Sequence, residues 1–227
     1  MEIAVITGCT RGIGYAIACR LSERYKIVGC ATNPDNIQRV RERHAGWDIQ
    51  LHDLRHKEEA YRFAAYIQHT YGKLSILVNN AGLFRPGNLF QEPDEVYEEM
   101  LGVHLSAAYY LTKGVLPLFI AQNRGLIVNI SSIAALGAYP GGGSYAVAKA
   151  GLLAFSRNLR FQLKQYGIAV SALLVGATWT DSWRGSPYPP ERFIPPEAVA
   201  EIVWTLAHLP STAVVEELIL RPMQGDI

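Results

Sequence analysis

The chain has 227 residues, of which 49% are hydrophobic and 18% charged, with 21 basic against 20 acidic residues. This composition predicts one globular domain over residues 1–227, and the near-zero net charge excludes a strong electrostatic footprint for nucleic acid or a membrane surface. The three cysteines lie in the first 30 residues without metal-ligand spacing, and no basic leader or long apolar segment opens the chain. Free thiols and a cytoplasmic location are therefore expected.

A glycine-rich turn follows the first apolar run of the chain. Residues 3–6 read as a strand, residues 13–21 as a helix, and the turn between them carries Gly8, Gly12 and Gly14. Glycines let the backbone bend tightly and approach a pyrophosphate, which the start of the following helix then attracts. The same pattern alone also describes a plain glycine turn, but its place between a first strand and a first helix favours a dinucleotide site.

Strands and helices then alternate along the first half. Residues 26–31 and 47–51 read as strands, and residues 34–44 and 58–71 as helices. Alternation of this kind predicts right-handed crossovers and a parallel sheet covered on both faces, with the ligand at the carboxyl ends of the strands.

The end of the second strand predicts which dinucleotide binds. A ribose 2′-hydroxyl is usually read there by a carboxylate, but residues 31–33 are Ala, Thr and Asn, while Arg11 lies inside the glycine turn. A guanidinium without a competing carboxylate favours a 2′-phosphate, and so NADP over NAD. The alternative for Arg11 is an exposed surface side chain.

Two polar groups follow the third strand. Asp53 is placed either to accept a hydrogen bond from the base amino group of the cofactor or to cap the next helix. His52 and His56 have a metal-like spacing, but no third ligand accompanies them, so a solvated helix start is preferred and no metal site is expected.

Tyr145 and Lys149 are four residues apart in a region of helical pattern. They would share one face of that helix, with a phenol beside an ammonium. A nearby positive charge lowers the pKa of a phenol, which could then exchange a proton with a reacting oxygen. Taken alone, the pair equally describes a half-buried aromatic residue and a solvated lysine.

Further motifs occur in register with this pair. Residues 75–82, SILVNNAG, and residues 125–132, GLIVNISS, read as a fourth and a fifth strand, and Tyr145 follows Ser132 by 13 residues. With the glycine turn, these motifs resemble the one-domain short-chain dehydrogenase/reductase family over nearly the whole chain. The resemblance implies an α/β fold, a doubly wound parallel sheet of the Rossmann type with about seven strands.

The resemblance also implies roles for individual residues. Ser132 would hydrogen-bond the substrate carbonyl, Tyr145 would be the general acid in reduction, and Lys149 would lower the pKa of the tyrosine and bind the nicotinamide ribose. Ser131 and Ser144 are rival hydroxyls; Ser131 is predicted to point to the opposite face of its strand from Ser132.

The implied cofactor contacts come from the glycine turn, the strand ends and the Tyr-Lys helix. They are Gly8, Thr10, Arg11, Gly12, Ile13, Gly14, Thr32, Asp53, Leu54, Asn80, Ala81, Gly82, Tyr145, Lys149 and Thr180.

Two positions depart from the family pattern. His104 stands where the family usually has an asparagine that holds a water for the proton relay, and Val175 stands where proline is common. Histidine can donate, accept and carry a proton, so His104 is either part of a modified relay or a packed helix residue.

The last third of the chain predicts a sixth strand over 168–175, a helix over 199–209 and a seventh strand over 214–220. Residues 181–196 are rich in proline and lack an apolar period, which indicates a substrate lid, and Trp179 and Trp183 are either pocket-lining or packing residues. The apolar helices over 93–122 and 145–166 provide either core or, as the family implies, contacts of a homodimer or homotetramer.

The function expected from these features is NADPH-dependent reduction of a ketone or aldehyde, or oxidation of a secondary alcohol. A 3-oxoacyl thioester is one substrate that the resemblance suggests. A non-enzymatic NADP(H) sensor and a nucleotide-sugar epimerase or dehydratase are the alternatives. The intact Ser132, Tyr145 and Lys149 weigh against the sensor, and the short region after the sixth strand weighs against the epimerase.

Overall fold

The computed structural model describes all 227 residues of the chain. Seven strands form one sheet. They are Glu2–Thr7 (β1), Tyr25–Ala31 (β2), Asp48–Leu51 (β3), Ile76–Asn79 (β4), Gly125–Ser132 (β5), Ile168–Val175 (β6) and Glu217–Leu220 (β7).

Seven α-helices connect or follow the strands. They are Gly12–Leu21 (α1), Pro34–Arg43 (α2), Lys57–Tyr71 (α3), Asp94–Leu101 (α4), Ala107–Gln122 (α5), Gly143–Leu163 (α6) and Pro196–Ala207 (α7). A five-residue π-helical segment, Gly102–Ser106, joins α4 to α5 without a break.

All strand pairs are parallel, and the strand order is β3-β2-β1-β4-β5-β6-β7. The chain therefore winds outward in one direction from β1 to β3 and in the other from β4 to β7. Between β1 and β4 the loops leave the carboxyl ends of the strands in opposite directions and open a crevice. The predicted doubly wound α/β fold is confirmed.

Helices cover both faces of the sheet. One core is formed by the sheet with α1, α2 and α7, and the other by the sheet with α3, α5 and the end of α6. Because both faces are covered, β4 is buried along its whole length, and its first three residues are all apolar rather than alternating with polar ones. Leu111 and Leu152, on the apolar helix faces noted in the sequence, belong to the buried core.

Most predicted boundaries are close to those observed. The bounds of β5 and β6 are as predicted, whereas β7 begins three residues later than predicted, at Glu217, and α7 begins three residues earlier, at Pro196. The apolar period fixes the interior of an element, but its ends depend on backbone hydrogen bonds that the period does not report. No helix has the length and apolar character that a membrane span requires.

Candidate active site

The sequence-predicted site residues line one cleft, which has a volume of about 710 Å³ and lies at the carboxyl ends of the strands. All of the predicted cofactor contacts border it, and so do Ser132, Tyr145, Lys149 and His104. The structure therefore brings the predicted residues together, and their roles stay predictions. A cleft of this size is within the range of ligand sites.

Glycines shape the nucleotide end of the cleft. Gly8 and Gly12 have φ of 65° and 55°, in the left-handed region that favours glycine, and a Cβ on Gly14 would lie 2.4 Å from the Gly8 carbonyl oxygen. The turn thus needs glycine both for its conformation and for its close approach to α1. This is a cradle of backbone suited to a pyrophosphate at a helix start.

The loop after β4 holds the glycine turn in place. The Asn80 side chain donates from Nδ2 to the carbonyl oxygens of Thr7 (2.9 Å) and Gly8 (3.2 Å). In return, Thr7 Oγ1 accepts from the backbone N–H groups of Asn80 (2.9 Å) and Ala81 (2.8 Å). The side chain of Asn80 is therefore committed to the scaffold, and the turn is rigidly positioned by a segment 73 residues away.

Arg11 has a protein partner. Its Nη1 lies 3.2 Å from Oδ2 of Asp181, at the start of the segment predicted to be a lid, and Asp181 also pairs with Arg184. The Arg11 side chain is 60% exposed, so the pair is weakly held and its guanidinium remains accessible to an incoming anion. Asn33, at the end of β2, instead caps α2 by accepting from the N–H of Asn36.

Asp53 is held by its neighbour Arg55. Its carboxylate accepts from Nε and Nη2 of Arg55, the latter at 2.6 Å, and these hydrogen bonds lower the pKa of Asp53. The residue that precedes α3 is His56, which makes no side-chain capping bond. The alternative that Asp53 caps the helix is therefore wrong, and its carboxylate borders the cleft. His52 is paired through Nδ1 with Glu59 at 2.7 Å.

Tyr145 lies near the start of α6, beside Ser132 at the end of β5. Burial raises the pKa of Tyr145 to about 12, and the neighbouring Ser132 hydroxyl opposes that rise. This is the reverse of the predicted shift. The cause is the burial of the phenol, which its position beside Lys149 does not offset. Burial also lowers the pKa of Lys149, to about 7.

Lys149 is anchored within the site. Its Nζ donates to the carbonyl oxygen of Ile130 at 2.8 Å and lies 5.7 Å from the centroid of the Tyr145 ring. The side chain is 5% exposed. An ammonium has three N–H donors, and Nζ uses one of them here, so two remain for acceptors of a ligand.

The rival serines have other partners. Ser131 donates from Oγ to the Lys149 carbonyl oxygen at 3.2 Å, so its hydroxyl is engaged by the backbone of α6. Ser144 binds Glu92 through both its backbone N–H (3.0 Å) and its hydroxyl. Glu92 lies in the loop before α4, and no sequence pattern indicated its contact with Ser144.

His104 lies in the π-helical segment, and its ring meets that of Tyr145 edge-on with centroids 5.2 Å apart. Its Nε2 is 2.7 Å from the carbonyl oxygen of Leu83. A carbonyl only accepts, so Nε2 bears the proton and Nδ1 is a bare acceptor, buried without a partner among the protein's own groups. Burial, and secondly the charge of Lys149, holds the pKa of His104 well below its ordinary value.

The two ring nitrogens of His104 keep both of its predicted roles open. Burial disfavours the imidazolium, but a neutral ring still donates at Nε2 and accepts at Nδ1. A part in a modified relay and a packed helix position both stay predictions. Gly82 makes room for the ring, because a Cβ there would lie 2.6 Å from Cε1 of His104.

Aromatic side chains border the Tyr145 end of the cleft. Trp183, within the segment predicted to be a lid, lines it, whereas Trp179 packs on Phe193 and does not. Phe84 and Tyr139 also line the cleft and were missed in the sequence. Loop aromatics carry no periodic signal, so only the tertiary structure places them.

A family model described as short chain dehydrogenase matches residues 2–187, a span that contains the whole glycine turn and the Ser132–Lys149 region. The chain belongs to the short-chain dehydrogenase family. It is therefore an enzyme of a family of oxidoreductases that act on small molecules, as the motifs predicted.

Known members of the short-chain dehydrogenase family are moderately similar to the chain. The 3-oxoacyl-(acyl-carrier-protein) reductase FabG of Haemophilus influenzae is 32% identical over 79% of this chain and 75% of its own length. The NADP-dependent 3-hydroxy acid dehydrogenase YdfG of Salmonella typhi is 30% identical over 97% and 95%. A solved metagenomic short-chain oxidoreductase in complex with NADP is 30% identical, covers 98% of this chain and 97% of its own, and superimposes with a TM-score of 0.84.

Proposed function

We propose that the protein is an NADP(H)-dependent oxidoreductase that reduces a ketone or aldehyde, or oxidises the corresponding secondary alcohol. The observation that carries the proposal is the convergence of Ser132, Tyr145 and Lys149 at one end of a cleft whose other end is a glycine cradle. The first group suits a carbonyl oxygen and the second a dinucleotide.

The residues present fit NADP. The glycine turn would hold the pyrophosphate, and Arg11, with no carboxylate at the end of β2, would hold the 2′-phosphate. Arg11 would then leave its ion pair with Asp181 and bind the phosphate instead. Lys149 would bind the nicotinamide ribose. When bound, the nicotinamide supplies the hydride. The NADP-dependent relative and the NADP-bound structural neighbour support this choice.

The chain's own residues would handle the proton. The hydroxyls of Ser132 and Tyr145 orient the carbonyl oxygen by donating to it, and Tyr145 protonates that oxygen as negative charge develops. Lys149, with its ammonium buried next to the phenol, stabilises the tyrosinate that remains. His104 acts as a positioning residue, because its neutral ring braces Tyr145 from the side and binds the Leu83 carbonyl.

Two further expectations stand as part of this proposal. Residues 181–196, which contain two single 3₁₀ turns and border the cleft through Ser182 and Trp183, would act as a lid. The exposed apolar side chains of Tyr109, Val147 and Phe161 on α5 and α6 would meet a second copy of the chain in a homodimer or homotetramer.

The function is tested by titrating the protein with NADPH and NADH and then assaying a panel of ketones and aldehydes through NADPH absorbance. NADPH is expected to bind more tightly than NADH. Tyr145→Phe should lower kcat by about 10²–10⁴-fold and leave the Kd of NADPH nearly unchanged, because only proton transfer is lost. Lack of NADPH binding would refute the proposal, and binding with no turnover of any carbonyl would favour a sensor.

A further inference from the structure

Two aromatic rings stand beside the proposed proton donor. Phe84 meets the Tyr145 ring edge-on, with centroids 5.0 Å apart and planes at 80°. Trp183 faces Phe84 with nearly parallel planes, at 22° and 6.4 Å. We call Phe84 and Trp183 the aromatic pair; both line the cleft.

Neighbouring residues support both rings of the aromatic pair. Trp183 packs on Phe193 with centroids 5.0 Å apart, and Phe193 is 5% exposed and also supports Trp179. Phe84 follows Leu83, whose carbonyl oxygen is bound by His104. The aromatic pair is therefore supported by neighbouring groups, although it lies on loops, and it lines the cleft beside the Tyr145 ring.

Each arginine near the aromatic pair has a carboxylate partner. Asp181 is shared by Arg11 and Arg184, and Arg85, the residue after Phe84, pairs with Glu99 at 2.9 Å. Lys149 is buried beneath Tyr145 and would be engaged by the cofactor. Once Arg11 has bound the 2′-phosphate, Asp181 remains paired with Arg184, so every cation at this end has an anionic partner or is engaged by the cofactor. The remaining polar lining includes hydroxyls such as those of Ser132 and Tyr139.

We propose that the substrate is an uncharged ketone or aldehyde whose carbonyl carries an aromatic or similarly flat apolar group. That group packs against the aromatic pair while Ser132 and Tyr145 bind the carbonyl oxygen, so ring contacts and the proton donor select the same molecule. This inference rests on the proposed function. It separates the chain from reductases that act on thioesters with long anionic carriers.

The test compares three substrates with the intact protein and NADPH: acetophenone, butan-2-one and acetoacetyl-coenzyme A. Acetophenone is expected to have the highest kcat/KM, by about tenfold or more over butan-2-one, since an aromatic contact and the area it buries together reach that size. A preference for acetoacetyl-coenzyme A, or equal kcat/KM for the two ketones, would overturn the inference while leaving the reductase function in place. No turnover of any carbonyl would instead refute the proposed function, and the inference with it.

Substitutions in the aromatic pair provide a second test of the inference. Phe84→Ala and Trp183→Ala are expected to lower kcat/KM about tenfold for acetophenone and less than about twofold for butan-2-one. Phe90→Ala is the matched control, because Phe90 lies on the same loop as Phe84, is 99% exposed and does not border the cleft. Phe84→Leu replaces Phe84→Ala if the latter does not fold. Equal losses for both ketones would overturn the inference.

Discussion

The burial of Lys149, a single residue of the site, lowers the stability of the folded protein. Its ammonium is buried and makes a single hydrogen bond, to the Ile130 carbonyl oxygen, and the loss of water around it lowers its pKa from 10.5 to about 7. Below pH 7 both folded and unfolded chains hold the proton, so the folded state bears the full desolvation cost. Between pH 7 and 10.5 the folded chain has released it, and the cost falls as pH rises.

Lys149→Met is therefore expected to stabilise the folded protein. The gain at pH 6 should be roughly 2 kcal/mol, or about 4–8 °C in Tm, after the lost bond to Ile130 is allowed for. It should shrink as pH rises from 7 towards 10.5. Thermal unfolding at pH 6 and pH 9 checks this, with the exposed Lys73→Met as the control. An equal gain at both pH values would contradict the expectation, and the same variant should lose turnover.

At the scale of elements, α6 begins without a cap of its own. Gly142 precedes it and has no side chain to accept the first N–H groups, but Oε1 of Glu92 accepts from the Ser144 backbone and hydroxyl. Gly87 leaves space for the second oxygen, because a Cβ there would clash with Oε2 of Glu92. A carboxylate supplied by a distant loop thus starts the helix that carries Tyr145.

Glu92→Ala should destabilise the protein by about 1–2 kcal/mol, the usual effect of removing a helix cap. Glu92→Gln keeps an acceptor oxygen and should lose less. Urea unfolding of both variants, beside Glu98→Ala on the exposed face of α4, measures the difference. A Glu92→Ala variant as stable as the Glu98→Ala protein would show that the contact does not cap α6. In addition, kcat should fall more for Ala than for Gln, since Tyr145 adjoins Ser144.

The π-helical segment Gly102–Ser106 is a second device at this scale. A π-helical turn has more residues than an α-helical turn, so it changes the direction in which the following side chains point. His104 lies within this segment and contacts the Tyr145 ring. The sequence predicted a pair of helices over 93–122 and singled out His104, but no pattern in it indicated the π-helical turn. A single insertion of this kind leaves the apolar period nearly intact, so only the backbone hydrogen bonds reveal it.

Across the whole molecule, the sequence predicted most of the fold and the membership of the site. The spacing of apolar residues and the positions of glycines are local signals, and they predicted β5, β6 and the glycine turn correctly. What escaped were contacts between residues far apart in sequence: Glu92 with Ser144, Arg11 with Asp181, and Phe84 with Tyr145. The pKa of Tyr145 was also mispredicted, because pairing with Lys149 was visible in the sequence but the burial of both side chains was not.

Self-association is the prediction for the molecule as a whole. Phe161 is 71% exposed on α6, and Phe161→Arg should place a charge in the proposed interface and yield monomers of about the chain mass of 25.1 kDa. Size-exclusion chromatography with light scattering should find the unaltered protein at two or four times that mass. Phe90→Arg, at another exposed phenylalanine, should not dissociate it. An unaltered protein that runs as a monomer would refute the proposed oligomer.

The Glu92 anchor has a consequence for how new substrate preferences arise. The loop that presents Phe84 is hydrogen-bonded to the start of α6 through Glu92, eight residues further along, whereas the Phe84 ring itself makes only an edge-on contact with Tyr145. Residue 84 is thereby free to vary in size while the segment around it stays tethered and the phenol keeps its place. Saturation of position 84 should accordingly yield many active proteins with altered selectivity, which makes it a favourable starting point for directed evolution.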